Sequence, residues 1–191
     1  MKRFLLITIL LASTTWSEAA PLQERVITNS AKYLHVRERH NDNRGPEIDT
    51  WLKYLGLPMG QPYCAAFYIW NYHEQGYNLP RIGRCSLLWK ACQANGLRYR
   101  TFDAEDVAMG IVKIMPADGI IWRHGRDTIP NFSGHAGTAL AQINRTTFRS
   151  REGNTQPGNA GNQREGGGVF DRNRKLDIGS AFAVVGFIRV R

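Results

Sequence analysis

At 191 residues, 42% apolar and 21% charged, the chain has material for one full hydrophobic core and too little for two large domains, and its composition excludes a disordered polypeptide. The formal net charge of +9 favours polyanionic surroundings such as wall polymers, anionic lipid or nucleic acid, without choosing among them.

The first element in chain order reads as a targeting segment. Lys2 and Arg3 supply a positive start, Phe4 to Ala12 is an apolar run broken only by Thr8, and Ser17-Glu18-Ala19 offers small residues where a signal peptidase reads. The run is shorter than the about 20 residues a transmembrane helix requires, and no later stretch is long enough to span a bilayer. Residues 1–19 are therefore expected to be a signal peptide cut after Ala19. The single domain, residues 20–191, is expected to be periplasmic or secreted, with no integral membrane segment. Removing Lys2, Arg3 and Glu18 leaves a net charge of +8.

Four helices are expected next. Leu22 to Val36 carries apolar residues at amphipathic spacing. After the polar loop His40 to Arg44, a second helix starts at Gly45-Pro46 and stops at Gly56. Cys64 to Glu74 is a largely buried third helix, following the tight loop Leu57 to Tyr63. Ser86 to Asn95 is the fourth, with Ser86 as N-cap. The second half changes to strands: Gly119 to Arg123, His135 to Ile143, Thr147 to Glu152, Val169 to Asp171 and Phe182 to Val190. Between them, Gly153 to Gly168 holds six glycines and reads as a loop. Helices first and strands later argue for an α+β domain, helices packed on an antiparallel sheet.

Three cysteines follow the leader. Within one helix, the seven residues from Cys85 to Cys92 span about 10 Å, beyond the reach of a disulfide, so pairing requires Cys85 in the turn before that helix. Otherwise both are small buried residues. Cys64 differs, because it opens a helix. The partial positive charge and free N–H groups of a helix start favour a thiolate and can stabilise an oxyanion. His135, in Gly134-His135-Ala136-Gly137, is a candidate base with room around its ring. One strand later, Glu152 and Asn154 share a face by strand parity, and either is placed to orient the imidazole. Gln61 is a candidate oxyanion donor, Tyr63 and Trp122 are candidate cleft-lining aromatics, and His124 is a rim histidine. The histidines and cysteines show no metal-ligand spacing, so neither a metal nor another cofactor is expected.

These pieces together resemble the CHAP amidohydrolase/peptidase domains of bacterial cell-wall enzymes, which share a papain-like core. The resemblance rests on Asn43 to Asp49, on Gly56-Leu57-Pro58 with Tyr63-Cys64-Ala65-Ala66-Phe67, on Pro116 to Ile121, on Gly134 to Gly137 and on Glu152 to Thr155, in the family's order. It implies a papain-like single domain with a nucleophile at Cys64, a base at His135 and a partner at Glu152, assisted by Asn154. The implied reaction is cleavage of amide bonds in peptidoglycan, between sugar and stem peptide or within the peptide. Two departures stand out: Pro116-Ala117-Asp118-Gly119 replaces the family's usual Pro-x-x-Gly-Asp turn, and residues 124–133 form an insert beside His135.

Three other readings compete. A wall-binding protein with a degenerate site keeps the fold and discards the reaction. A secreted antibacterial amidase uses the same chemistry and implies an immunity or inhibitor protein as partner. A nucleic-acid binder is suggested by Arg145, Arg149, Arg151, Arg164, Arg172, Arg174 and Lys175, but recognised nucleic-acid motifs are missing, and no such partner is expected.

Overall fold

The computed structural model describes residues 20–125, 132–157 and 166–191. The expected leader, the middle of the 124–133 insert and residues 158–165 of the glycine-rich stretch lie outside the described residues.

Helices come first: α1 (Leu22–Ala31), α2 (Pro46–Tyr54), α3 (Cys64–His73) and α4 (Cys85–Ala94). Strand β1 (Tyr99–Asp103) and the short α5 (Ala104–Ala108) lead into β2 (Gly119–His124), β3 (Ser133–Asn144), β4 (Thr147–Thr155), β5 (Gly168–Lys175) and β6 (Phe182–Val190). The strands form one antiparallel sheet in the order β1-β6-β2-β3-β4-β5. The architecture is α+β. Among the described residues no helix is long and apolar enough to cross a membrane.

Strand parity divides the core. Ile121, Ala136 and Ile188 meet α3 and α4 through Ala65, Tyr68, Ile69, Leu88 and Trp89. Ile120, Trp122, Ala139, Phe148 and Phe187 form a second cluster with Phe102 and the α5 residues Ala104 and Val107. A third cluster seats α2 against α3 through Trp51, Leu52 and Phe67, with the Trp51 and Phe67 rings 4.9 Å apart.

Several element bounds differ from expectation. α1 ends at Ala31 rather than continuing to Val36. Val36 is buried in the cluster with Trp51, Phe67 and Val169, and its carbonyl accepts from the Val169 N–H at 3.2 Å, so its apolar spacing reflects the sheet edge rather than a helix. α4 begins at Cys85, one residue early: its N-cap is Arg84, and Ser86 lies buried in the first turn without capping it. β4 runs on to Thr155 and β5 begins at Gly168, so part of the expected glycine-rich loop is paired strand. β1 and α5 have no counterpart among the expected elements. β1 is an edge strand whose buried residues Tyr99 and Phe102 break strict alternation, and α5 is a single turn, too short for a periodic signal.

Two contacts place the first helices over the sheet. Gly153 lies where a Cβ would stand 2.8 Å from Phe67 Cβ, so the glycine allows α3 to approach β4 closely. On the same strand, Arg151 pairs bidentately with Asp171 at 2.6 and 2.9 Å. It also donates to Ser30 Oγ at 2.9 Å and the Ile27 carbonyl at 3.1 Å, tying α1 to the sheet.

Candidate active site

The site forms where the start of α3 meets β3 and β4. Cys64 is the first residue of α3, and Tyr63 is its N-cap. Tyr63 is fully buried beside Trp51, its hydroxyl donates to Glu38 Oε1 at 3.0 Å, and the Asn154 backbone N–H meets the same hydroxyl. Tyr63 therefore anchors the helix start and does not face the cleft.

Cys64 is nearly buried, and its sulfur has three hydrogen-bonding neighbours: the Cys85 thiol, the His135 ring and the Ala136 backbone N–H. The Cys85 hydrogen bond is the largest influence and lowers the Cys64 pKa. Burial opposes it, and the His135 hydrogen bond and charge add to the lowering, so the thiol is held well below its ordinary range. Cys85 moves the other way, lifted by donating to Cys64 and by burial.

His135 sits near the start of β3, fully buried, with its Nε2–H donating to Glu152 Oε2 at 3.0 Å. With Nε2 engaged by the carboxylate, Nδ1 is the nitrogen left for the sulfur. Burial pushes the imidazole pKa down, but the Cys64 hydrogen bond and charge, followed by those of Glu152, outweigh it and raise it to about 9. A lowered thiol and a raised imidazole describe a thiolate–imidazolium pair. Trp122, the cross-strand partner of His135, is also fully buried. Its ring packs 5.3 Å from the imidazole, so it supports the His135 ring from behind and does not line the cleft.

Spacing alone leaves Glu152 and Asn154 as equal candidates to touch His135. The geometry separates them. Glu152 is the hydrogen-bond partner, fully buried, and is itself held by Ser150 Oγ at 2.5 Å and by Arg174. Arg174 Nε donates to Oε1 at 2.8 Å and its Nη2 donates to Oε2. The same guanidinium lies 5.2 Å from the Phe182 ring centroid and 5.6 Å from that of Trp122. Burial pushes the Glu152 carboxyl up, yet hydrogen bonds and charge from Arg174 and His135 hold it far below the usual carboxylate range. Gly137 makes room for this acid: a Cβ there would stand 2.8 Å from Glu152 Cγ. Asn154, in the left-handed region at φ 55°, instead joins Cys64, His135, His124 and Pro62 around a small hollow of about 80 Å³.

A cleft of about 430 Å³ opens beside the sulfur, lined among others by Leu57, Gln61, Cys64, Arg84, Cys85 and Gly134. Gln61 thus shares the cleft with Cys64, and among the described residues Arg84 is the only charged one in its lining. A larger hollow of about 630 Å³ lies between the start of α1 and the turn before β2, but contains none of the cysteines or histidines. The candidate site is the smaller cleft, where the perturbed groups converge. Among the described residues, no three His, Cys, Asp or Glu side chains converge as a metal site.

Arg174 and Cys85 belong to this site although the sequence marks neither of them. Arg174 reads as one of several surface cations, and Cys85 reads only as a partner for Cys92. The three cysteines are all free, and Cys85 lies inside α4, seven residues from Cys92, so the geometry removes that pairing. Comparison with known protein families finds none that matches the chain, and comparison with curated proteins finds no relative.

Proposed function

We propose that this protein is an exported cysteine hydrolase with a papain-like core, similar to CHAP domains, that cleaves amide bonds in bacterial peptidoglycan. The observation that carries the reading is one continuous chain of contacts: the helix-start Cys64 hydrogen-bonded to His135, and His135 held at 3.0 Å by a buried Glu152. A nucleophile, a base and an orienting acid in this relation suit acyl transfer.

The steps follow from the charges. The Cys64 thiolate attacks the amide carbonyl, and N–H groups at the start of α3, with Gln61 as a further candidate donor, hold the oxyanion. The His135 imidazolium gives its proton to the departing amine. The neutral imidazole then takes a proton from water, which attacks the thioester and releases the acid. Glu152 keeps the ring in the tautomer and orientation that both transfers require. The wall assignment rests on the resemblance, the expected leader and the basic charge.

The test is digestion of purified peptidoglycan by the protein and its Cys64→Ala form, with mass spectrometry of the soluble products. Products made only by the unaltered protein are expected, and their masses assign the bond. Absence of products from several wall chemistries, with the thiol confirmed reduced, overturns the wall assignment and leaves a binding protein or another amide substrate.

A further inference from the structure

Cys85 has no part in the acyl-transfer steps, yet its thiol hydrogen-bonds to the nucleophile. The two cysteines come from distant parts of the chain, each as the first residue of its helix, α3 for Cys64 and α4 for Cys85. Both helix starts open onto the same cleft of about 430 Å³, and both cysteines lie in its lining. Cys92 belongs to the same buried cluster but is not in the lining of that cleft, and only desolvation acts on its thiol.

We propose that Cys64 and Cys85 are a reversible dithiol–disulfide pair, and that closing it occupies the nucleophile and switches the site off. The disulfide rests on the two helix starts that share one cleft; its effect on activity rests on the hydrolase reading. Both cysteines line one cleft, and closing the bond brings the two sulfurs there to an S–S length of about 2.05 Å. The cleft admits a small disulfide to Cys64.

The chemistry needs an oxidant of the disulfide class, RSSR. The Cys64 thiolate attacks one sulfur and expels RS⁻, leaving a mixed disulfide. Cys85 then attacks the Cys64 sulfur, forms the protein disulfide and expels the second RS⁻, which carries away the proton Cys85 gave up. The two protein thiols lose two electrons and the oxidant gains them, yielding two RSH in place of RSSR once the first RS⁻ is protonated. A dithiol reductant reverses the sequence. A nucleophile lodged in such a bond is shielded from further oxidation to the irreversible sulfinic and sulfonic acids.

The experiment titrates the folded protein with oxidised glutathione, then alkylates free thiols and maps peptides without reduction. The expected result is the loss of two hydrogens in intact mass and a peptide joining Cys64 to Cys85. Peptidoglycan hydrolysis should fall in proportion to the joined fraction and return with dithiothreitol. The Cys92→Ser protein should form the same link, whereas Cys85→Ser should stop at a glutathione adduct on Cys64. A stable Cys64–glutathione adduct in the unaltered protein, a Cys85–Cys92 link, or three thiols still open to alkylation overturns the proposal. If the link forms but the reduced protein digests no wall, the disulfide stands and the hydrolase reading fails. If the wall is digested and no link forms, the hydrolase reading stands and the disulfide fails.

Discussion

At the scale of single residues, the site depends on which groups hold a charge. His135 keeps its proton up to about 9 because the thiolate and Glu152 favour the imidazolium. A raised folded-state value means that the His135 proton contributes stability in full below the ordinary histidine value of 6.5, and that this is lost as pH rises through about 9. Activity should follow the same limb: kcat/KM on a soluble stem-peptide substrate is expected to fall above pH 9, and a limb near 6.5 would falsify the pair. Glu152→Gln removes the charge that supports the imidazolium and leaves Arg174, largely buried, without its carboxylate. It should lower kcat by between about 10² and 10⁴, move the alkaline limb downward, and cost about 3 kcal/mol of stability. Rates measured across pH, with denaturant unfolding, separate the two effects. An unshifted alkaline limb would mean that Glu152 acts on the fold alone.

At the scale of elements, the site exists because α3 lies close on β4. Gly153→Ala places a methyl carbon 2.8 Å from Phe67 Cβ, where both positions belong to backbone-bound atoms and neither can rotate away. The helix must lift, carrying Cys64 from His135. Loss of roughly 1–3 kcal/mol is expected together with slower alkylation of Cys64; unchanged alkylation with lowered stability would show that the helix start does not move. The same dependence explains what can be read from sequence. Cys64 is legible because a helix start is a local feature, and the pairing of Glu152 with the His135 strand follows from strand parity and a short turn at Asn144-Arg145. Arg174 is not, because its meeting with Glu152 depends on how β5 pairs with β4 across a stretch of glycines that encodes no register. Cys85 is not, because nothing local says that two helix starts converge. Tyr63 and Trp122 read as cleft aromatics from proximity in sequence, whereas burial turns both inward.

At the scale of the whole molecule, the positive charge has two destinations that sequence alone does not separate. Arg151, Arg172 and Arg174 are committed inside: Arg151 to Asp171 and Ser30, Arg172 to Thr155, and Arg174 to Glu152. They hold β4 and β5 together and are withdrawn from any external polyanion. The remaining excess acts through solvent, where screening shortens its reach from about 8 Å at 0.15 M salt to about 3 Å at 1 M. The Cys64–His135 pair is buried and largely shielded from that screening. Retention on the wall and bond cleavage should therefore respond differently to salt. The Cys64→Ala protein is expected to sediment with insoluble peptidoglycan at low salt and to be released as salt rises toward about 1 M. Hydrolysis of a small soluble stem peptide by the unaltered protein should change little over the same range. Equal salt dependence of both would mean that the surface charge acts at the cleft itself, with Arg84 in its lining as the first position to replace. Retention indifferent to salt would mean that the wall is held by contacts other than charge.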